Sequence, residues 1–124
     1  MPNLVRITAG LCVVAGLFGL FYLGTLPGAG ELFPEPWDKL AHFAVFAGLS
    51  VCLMLMSANS APWAVFFAVS LIGALDEWHQ VYLPGRHSDI YDFLTDVIAA
   101  AVACTYMALR KRNARPFWRL ARRR

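Results

Sequence analysis

A chain of 124 residues, 59% hydrophobic and only 15% charged, is long enough for one compact domain. It is too apolar for a soluble one, whose charged share is about 25%. Its formal charge of +3 describes neither half, because eight of the eleven basic residues lie in positions 110–124 and all eight acids lie between Glu31 and Asp96. This excludes an evenly charged soluble globule and points to a lipid-embedded body followed by a basic tail.

The first apolar run, Ile7 to Leu26, holds 20 residues without a charge and follows Arg6. That is about 30 Å of helix, enough to cross a bilayer. It exceeds the apolar stretch of a signal peptide, and TLPGAGE offers no clean small-x-small cleavage site, so the run reads as a retained helix. Residues 27–37 form a loop broken by Pro27, Gly28, Gly30, Pro34 and Pro36. The second run, Leu40 to Met56, is entered through Asp38, Lys39 and His42, and SANSAP at 57–62 is a short turn. The third, Trp63 to Leu75, continues through Asp76-Glu77-Trp78-His79-Gln80 to Leu83, before Pro84-Gly85 breaks the chain. The fourth, Ile90 to Leu109, has Ser88 as its expected N-cap and carries Asp92 and Asp96 in its first turns. Cys12, Cys52 and Cys104 each sit inside an apolar run with no CxxC spacing and read as small packing residues.

The expected fold is therefore all-α, a four-helix transmembrane bundle with short loops. Residues 1–109 form a single four-span membrane domain and 110–124 a cytoplasmic basic tail. Basic residues beside spans stay inside, so both termini are expected in the cytoplasm and the loops at 27–39 and 84–89 outside. Trp37, Trp63, Trp78 and Tyr82 suit the membrane interface, and His79 and His87 suit the surface. The tail RKRNARPFWRLARRR suits an anionic lipid leaflet; no nucleic-acid partner is expected of a chain held in a membrane.

Antiparallel spans bring distant polar segments to one membrane face: Asp38, Lys39 and His42; Asp76, Glu77 and Gln80; Arg86, Asp89, Asp92 and Asp96. The spacings are helical, with Asp89, Asp92 and Asp96 at i, i+3 and i+7 on one face. Asp96 lies deepest, where an intramembrane carboxylate should face the bundle interior or a wet cavity. Six acids against Lys39 and Arg86 leave an excess of four negative charges with the histidines neutral. Such an excess in a partly dry site is answered by protons, by water or by a bound cation, and Glu77, Asp92 and Asp96 are the carboxyls most expected to hold a proton.

The pattern Asp38-Lys39-x-x-His42, Glu77-x-x-Gln80 and Pro84-Gly85-Arg86-x-x-Asp89-x-x-Asp92 resembles the VanZ-like family of small bacterial membrane proteins. The resemblance covers roughly residues 36–108. It implies a place in the bacterial cytoplasmic membrane and makes Asp38, Lys39, His42, Glu77, Gln80, Arg86, Asp89 and Asp92 the signature positions. The founding member is linked to low-level resistance to the glycopeptide teicoplanin. Where the family usually carries Asn this chain has Asp96, which adds a negative charge. Where it usually carries Gly roughly one turn later, this chain has Ala99 and Ala100.

Two functions follow as expectations. The first is binding or modification of an envelope component, a lipid-linked cell-wall precursor or a glycopeptide. Arg86 and Lys39 would meet phosphate or carboxylate, and the acids an amine or a divalent ion. The second is a metal-assisted enzyme acting on a lipid headgroup, with Glu77, Asp92, Asp96 and His42 as candidate catalytic or metal-binding groups. No recognised catalytic motif accompanies them. A transporter fits less well, because the carboxylates gather towards one face only. Membrane lipids are the expected partners, and a bundle this small also suits homo-oligomers.

Overall fold

The computed structural model describes residues 2–114. Four helices follow in order: α1 (Pro2–Phe21), α2 (Trp37–Met56), α3 (Pro62–Gln80) and α4 (Ile90–Asn113). No strand occurs among the described residues. The basic tail beyond Ala114, with its expected lipid contacts through Arg115, Arg119 and Arg122–Arg124, lies outside the described residues.

The central helix is α2, which packs most closely on α4 and also lies along α1. On its other side α4 holds α3, while α1 touches α3 only slightly. The core between α2, α3 and α4 is built from Phe46, Met54, Val65, Val69, Ala99, Ala100, Cys104 and Met107. Ala99 and Ala100 are fully buried; their small side chains let α4 come close to its neighbours.

The surface is apolar where a soluble protein would be polar. Leu11, Val14, Trp63, Phe67, Leu71, Ile98 and Val102 are all exposed, while Asp76, Glu77, Gln80, Asp92 and Asp96 are buried. Water would penalise both features, whereas lipid around a polar interior tolerates them. Three helical stretches, Asn3–Thr25, Trp37–Met56 and Ile90–Asn113, are long and apolar enough to cross a membrane. By the same measure α3 is not apolar enough, because its last turn carries Asp76, Glu77, His79 and Gln80. The expected four spans are thus four helices, of which three qualify by composition.

Helix ends depart from the apolar runs for local reasons. α1 stops at Phe21, and the chain passes through a 3₁₀ turn at Leu23–Thr25, where the Thr25 hydroxyl donates to the Tyr22 carbonyl at 2.7 Å. α3 ends at Gln80 instead of Leu83: Tyr82 and Leu83 make tight turns back to His79 and Gln80, and Pro84 disfavours helix at the residue before it. The N-cap of α4 is Asp89, not the expected Ser88. The Asp89 carboxylate accepts from the Tyr91 backbone N–H at 2.9 Å, and the Ser88 hydroxyl is drawn instead to Glu77 at 3.0 Å. α4 also runs four residues past Leu109, to Asn113. Cations suit a helix C-terminus, and Lys111 there donates to the carbonyls of Ala58 and Asn59 at 2.7 and 3.0 Å. Those two residues turn between α2 and α3 with left-handed φ of 51° and 55°, so one tail cation is committed to holding a turn.

Candidate functional site

The polar residues singled out in the sequence all meet at the end of the bundle marked by the 22–36 and 81–89 loops. α2 brings Asp38, Lys39 and His42 in its first two turns; α3 brings Asp76, Glu77 and Gln80 in its last; Asp89, Asp92 and Asp96 descend the start of α4. The carboxylates sort into two tiers by their depth along the helices.

In the outer tier the Lys39 ammonium bridges three segments. It donates to Asp38 at 3.3 Å, to Asp89 at 3.1 Å and to Asp92 at 3.1 Å, and lies 3.8 Å from exposed Glu35. Lys39 thereby ties the start of α2 to the start of α4. The Asp89 carboxyl is held below the usual carboxylate range, first by the Tyr91 backbone N–H and further by Lys39.

The inner tier lies one helical turn deeper, about 6 Å. His42 Nδ1 meets Asp96 Oδ1 at 3.0 Å, while its Nε2 stands 3.9 Å from Asp92 Oδ2. Gln80 donates to Asp76 at 2.9 Å. Glu77 turns away from Gln80 and accepts from the Ser88 hydroxyl at 3.0 Å and the Asp89 backbone N–H at 2.8 Å. A buried carboxylate thus fixes the loop that enters α4. Two inner oxygens, Glu77 Oε1 and Asp96 Oδ2, are buried without a hydrogen-bond partner. Gly73 makes room for this tier, since a Cβ there would stand 3.0 Å from Asp96 Oδ2.

Above the inner tier opens a cavity of about 820 Å³. Its polar lining residues include Asp38, His42, Gln80, Arg86 and Asp92, and its apolar ones Leu20, Leu23, Phe33 and Val45. Gly16 and Gly19 of α1 also line it; α1 is therefore part of the site, which the polar motifs alone do not reveal. Half-buried Arg86 packs its stem close to Gly30 and makes no ion pair among the described residues. Of the aromatic residues expected at an interface, Trp37, Trp63, Trp78 and Tyr82 are all exposed. His87 is exposed as expected, whereas His79 is half-buried against the Phe21 ring.

Membrane-length apolar helices enclosing a tiered polar site define a small helical membrane protein. The chain belongs to the VanZ/LLP1 family, whose family model matches residues 7–111. The match includes α1, which lies outside the motif-based resemblance over residues 36–108. No curated protein and no solved structure matches the chain.

Proposed function

We propose that the protein crosses the bacterial cytoplasmic membrane four times and binds an anionic, lipid-bearing component of the cell envelope in its outward-facing cavity. The observation that carries this reading is Arg86, a half-buried guanidinium without a carboxylate partner among the described residues, in the lining of a cavity that is otherwise largely apolar. A guanidinium pairs with phosphate or carboxylate through two parallel hydrogen bonds, and the apolar lining residues suit an acyl or polyprenyl chain. A volume of about 820 Å³ falls within the usual range for small-ligand sites, about 300–1,000 Å³.

α3 serves as the fourth crossing. Its polar residues Asp76, Glu77 and Gln80 are buried, and Trp63, Phe67 and Leu71 face outward, so lipid meets a far more apolar helix than its composition suggests. With four crossings and a basic tail inside, the cavity opens to the outer side. A lipid-linked cell-wall precursor presents the matching chemistry there. A glycopeptide with a lipid tail, such as teicoplanin, presents part of it, which would connect binding to antibiotic or envelope-stress resistance.

The test is native mass spectrometry of full-length protein released from membranes in mild detergent. The expected result is one anionic envelope lipid retained per chain and lost in Arg86→Ala, with insertion into the membrane unchanged. Equal retention by the variant would overturn the reading.

A further inference from the structure

Glu77 and Asp96 are 7% and 0% exposed, and each uses only one of its two carboxylate oxygens. The second oxygen of each is buried and unpartnered, a costly arrangement for a polar atom removed from water. One donor atom from each of His42, Glu77 and Asp96 lies within 4.8 Å of the other two. The ammonium of Lys39, which could have neutralised them, is engaged by Asp38, Asp89 and Asp92.

We propose that His42, Glu77 and Asp96 form a binding site for a single divalent transition-metal cation beneath the cavity floor. Bonds of about 2.1 Å at right angles place neighbouring ligand atoms about 3.0 Å apart. The His42 Nδ1–Asp96 Oδ1 separation is 3.0 Å, a hydrogen bond of the same length, so admitting the ion needs a side-chain rotation and no change in that separation. Glu77 completes the set by a side-chain adjustment within the 4.8 Å limit. The other ring nitrogen of His42 stands 3.9 Å from Asp92, beyond hydrogen-bond length; a small closure of that gap would let the carboxylate orient a metal-bound imidazole. His42 itself lines the cavity, which provides an entry path and leaves a coordination position open towards a ligand oxygen.

One imidazole with two carboxylates favours Mn²⁺, Fe²⁺ or Zn²⁺ over Mg²⁺ and Ca²⁺, which prefer all-oxygen shells. Asp92, the fourth residue of the set considered from sequence, binds Lys39 through Oδ1 and is not one of the three whose donor atoms converge within 4.8 Å. The proposal does not depend on what occupies the cavity.

The experiment is titration of the chelator-treated, full-length protein in mild detergent with Mn²⁺, followed by electron paramagnetic resonance, then competition with Zn²⁺ and with Mg²⁺. The expected result is one Mn²⁺ per chain, displaced by Zn²⁺ as the order of divalent affinities requires and not by equimolar Mg²⁺. Glu77→Gln and Asp96→Asn should each weaken binding at least about tenfold, and Glu31→Gln, an exposed loop acid, should leave it unchanged. A rise in the unfolding temperature of the wild-type protein on adding Mn²⁺ gives a readout that needs no variant to fold. Absence of stoichiometric binding by the wild type, or undiminished binding by both Glu77→Gln and Asp96→Asn, would overturn the proposal. These measurements read bound metal, and the Arg86 test reads retained lipid, so the two outcomes are separate.

Discussion

Gly73 and Gly48 make a matched pair that tests how closely α3 and α4 approach at Asp96. Both lie inside helices, so Gly→Ala brings the same gain in helix propensity at each, up to about 1 kcal/mol. Their surroundings differ. A Cβ at Gly48 meets nothing within 4 Å, whereas one at Gly73 stands 3.0 Å from Asp96 Oδ2, 3.2 Å from Asp96 Cβ and 3.4 Å from Phe46 Cε1. Carbon contacts settle at about 3.5–4.0 Å. The Asp96 carboxylate can rotate away, but its Cβ rides on the backbone of α4, so the helices must part by a few tenths of an ångström. Overpacking of this kind costs about 1–3 kcal/mol. Gly48→Ala should therefore be neutral or stabilising, and Gly73→Ala should be less stable than it by about 1–3 kcal/mol, measured by unfolding in one detergent. Equal stabilities for the two alanine variants would refute the close approach.

Lys39→Met removes the cation shared by Asp38, Asp89 and Asp92 and should destabilise the fold. In a double-mutant cycle with Asp92→Asn the two effects should couple by about 0.5–3 kcal/mol, and strict additivity would show that the bridge is not formed. Asp89→Asn should lower the unfolding temperature at neutral pH. Because the folded Asp89 carboxyl titrates below its ordinary value, its contribution is fully present above about pH 3.9 and is lost as pH falls through the lower folded value. The wild-type advantage over Asp89→Asn should thus be constant from neutral pH to about pH 5 and shrink only below about pH 4. An advantage that grows on acidification would contradict the assignment.

The helix count and the end of the bundle that collects charge were legible because both depend on spacing. Asp89, Asp92 and Asp96 share a face by helical arithmetic alone, and apolar runs announce lipid-length helices. Partner choice was not legible, because it is decided between helices. Ser88 is as good an N-cap as Asp89 by residue type; Glu77, arriving from α3, takes its hydroxyl. Glu77 and Gln80 share a spacing, yet Gln80 bonds Asp76 at i−4 and Glu77 reaches the next loop. The contribution of α1 to the cavity was hidden for another reason. It comes through glycines and leucines, which in a membrane helix carry no mark that separates a cavity wall from a lipid-facing side.

The two tiers also bear on how one site could accept an anion at all. Four surplus negative charges would repel a phosphate approaching Arg86. A single unit of like charge about 10 Å away, at an effective dielectric of about 20, opposes binding by about 1.7 kcal/mol, so several would cancel what one guanidinium offers. Lys39 is shared by Asp38, Asp89 and Asp92 and cancels one of their three charges; Asp76, Glu77 and Asp96 meet no lysine or arginine among the described residues, and Asp96 is paired with His42. A divalent ion on Glu77 and Asp96 cancels two of those charges where they originate, as a proton on each would, but the ion also holds the two carboxylates together with His42. Cation below and anion above are then mutually supporting occupants, each raising affinity for the other by the same factor, as linkage requires. Asp96 supplies one of the two carboxylates this requires; an asparagine in its place would keep an oxygen ligand without the charge.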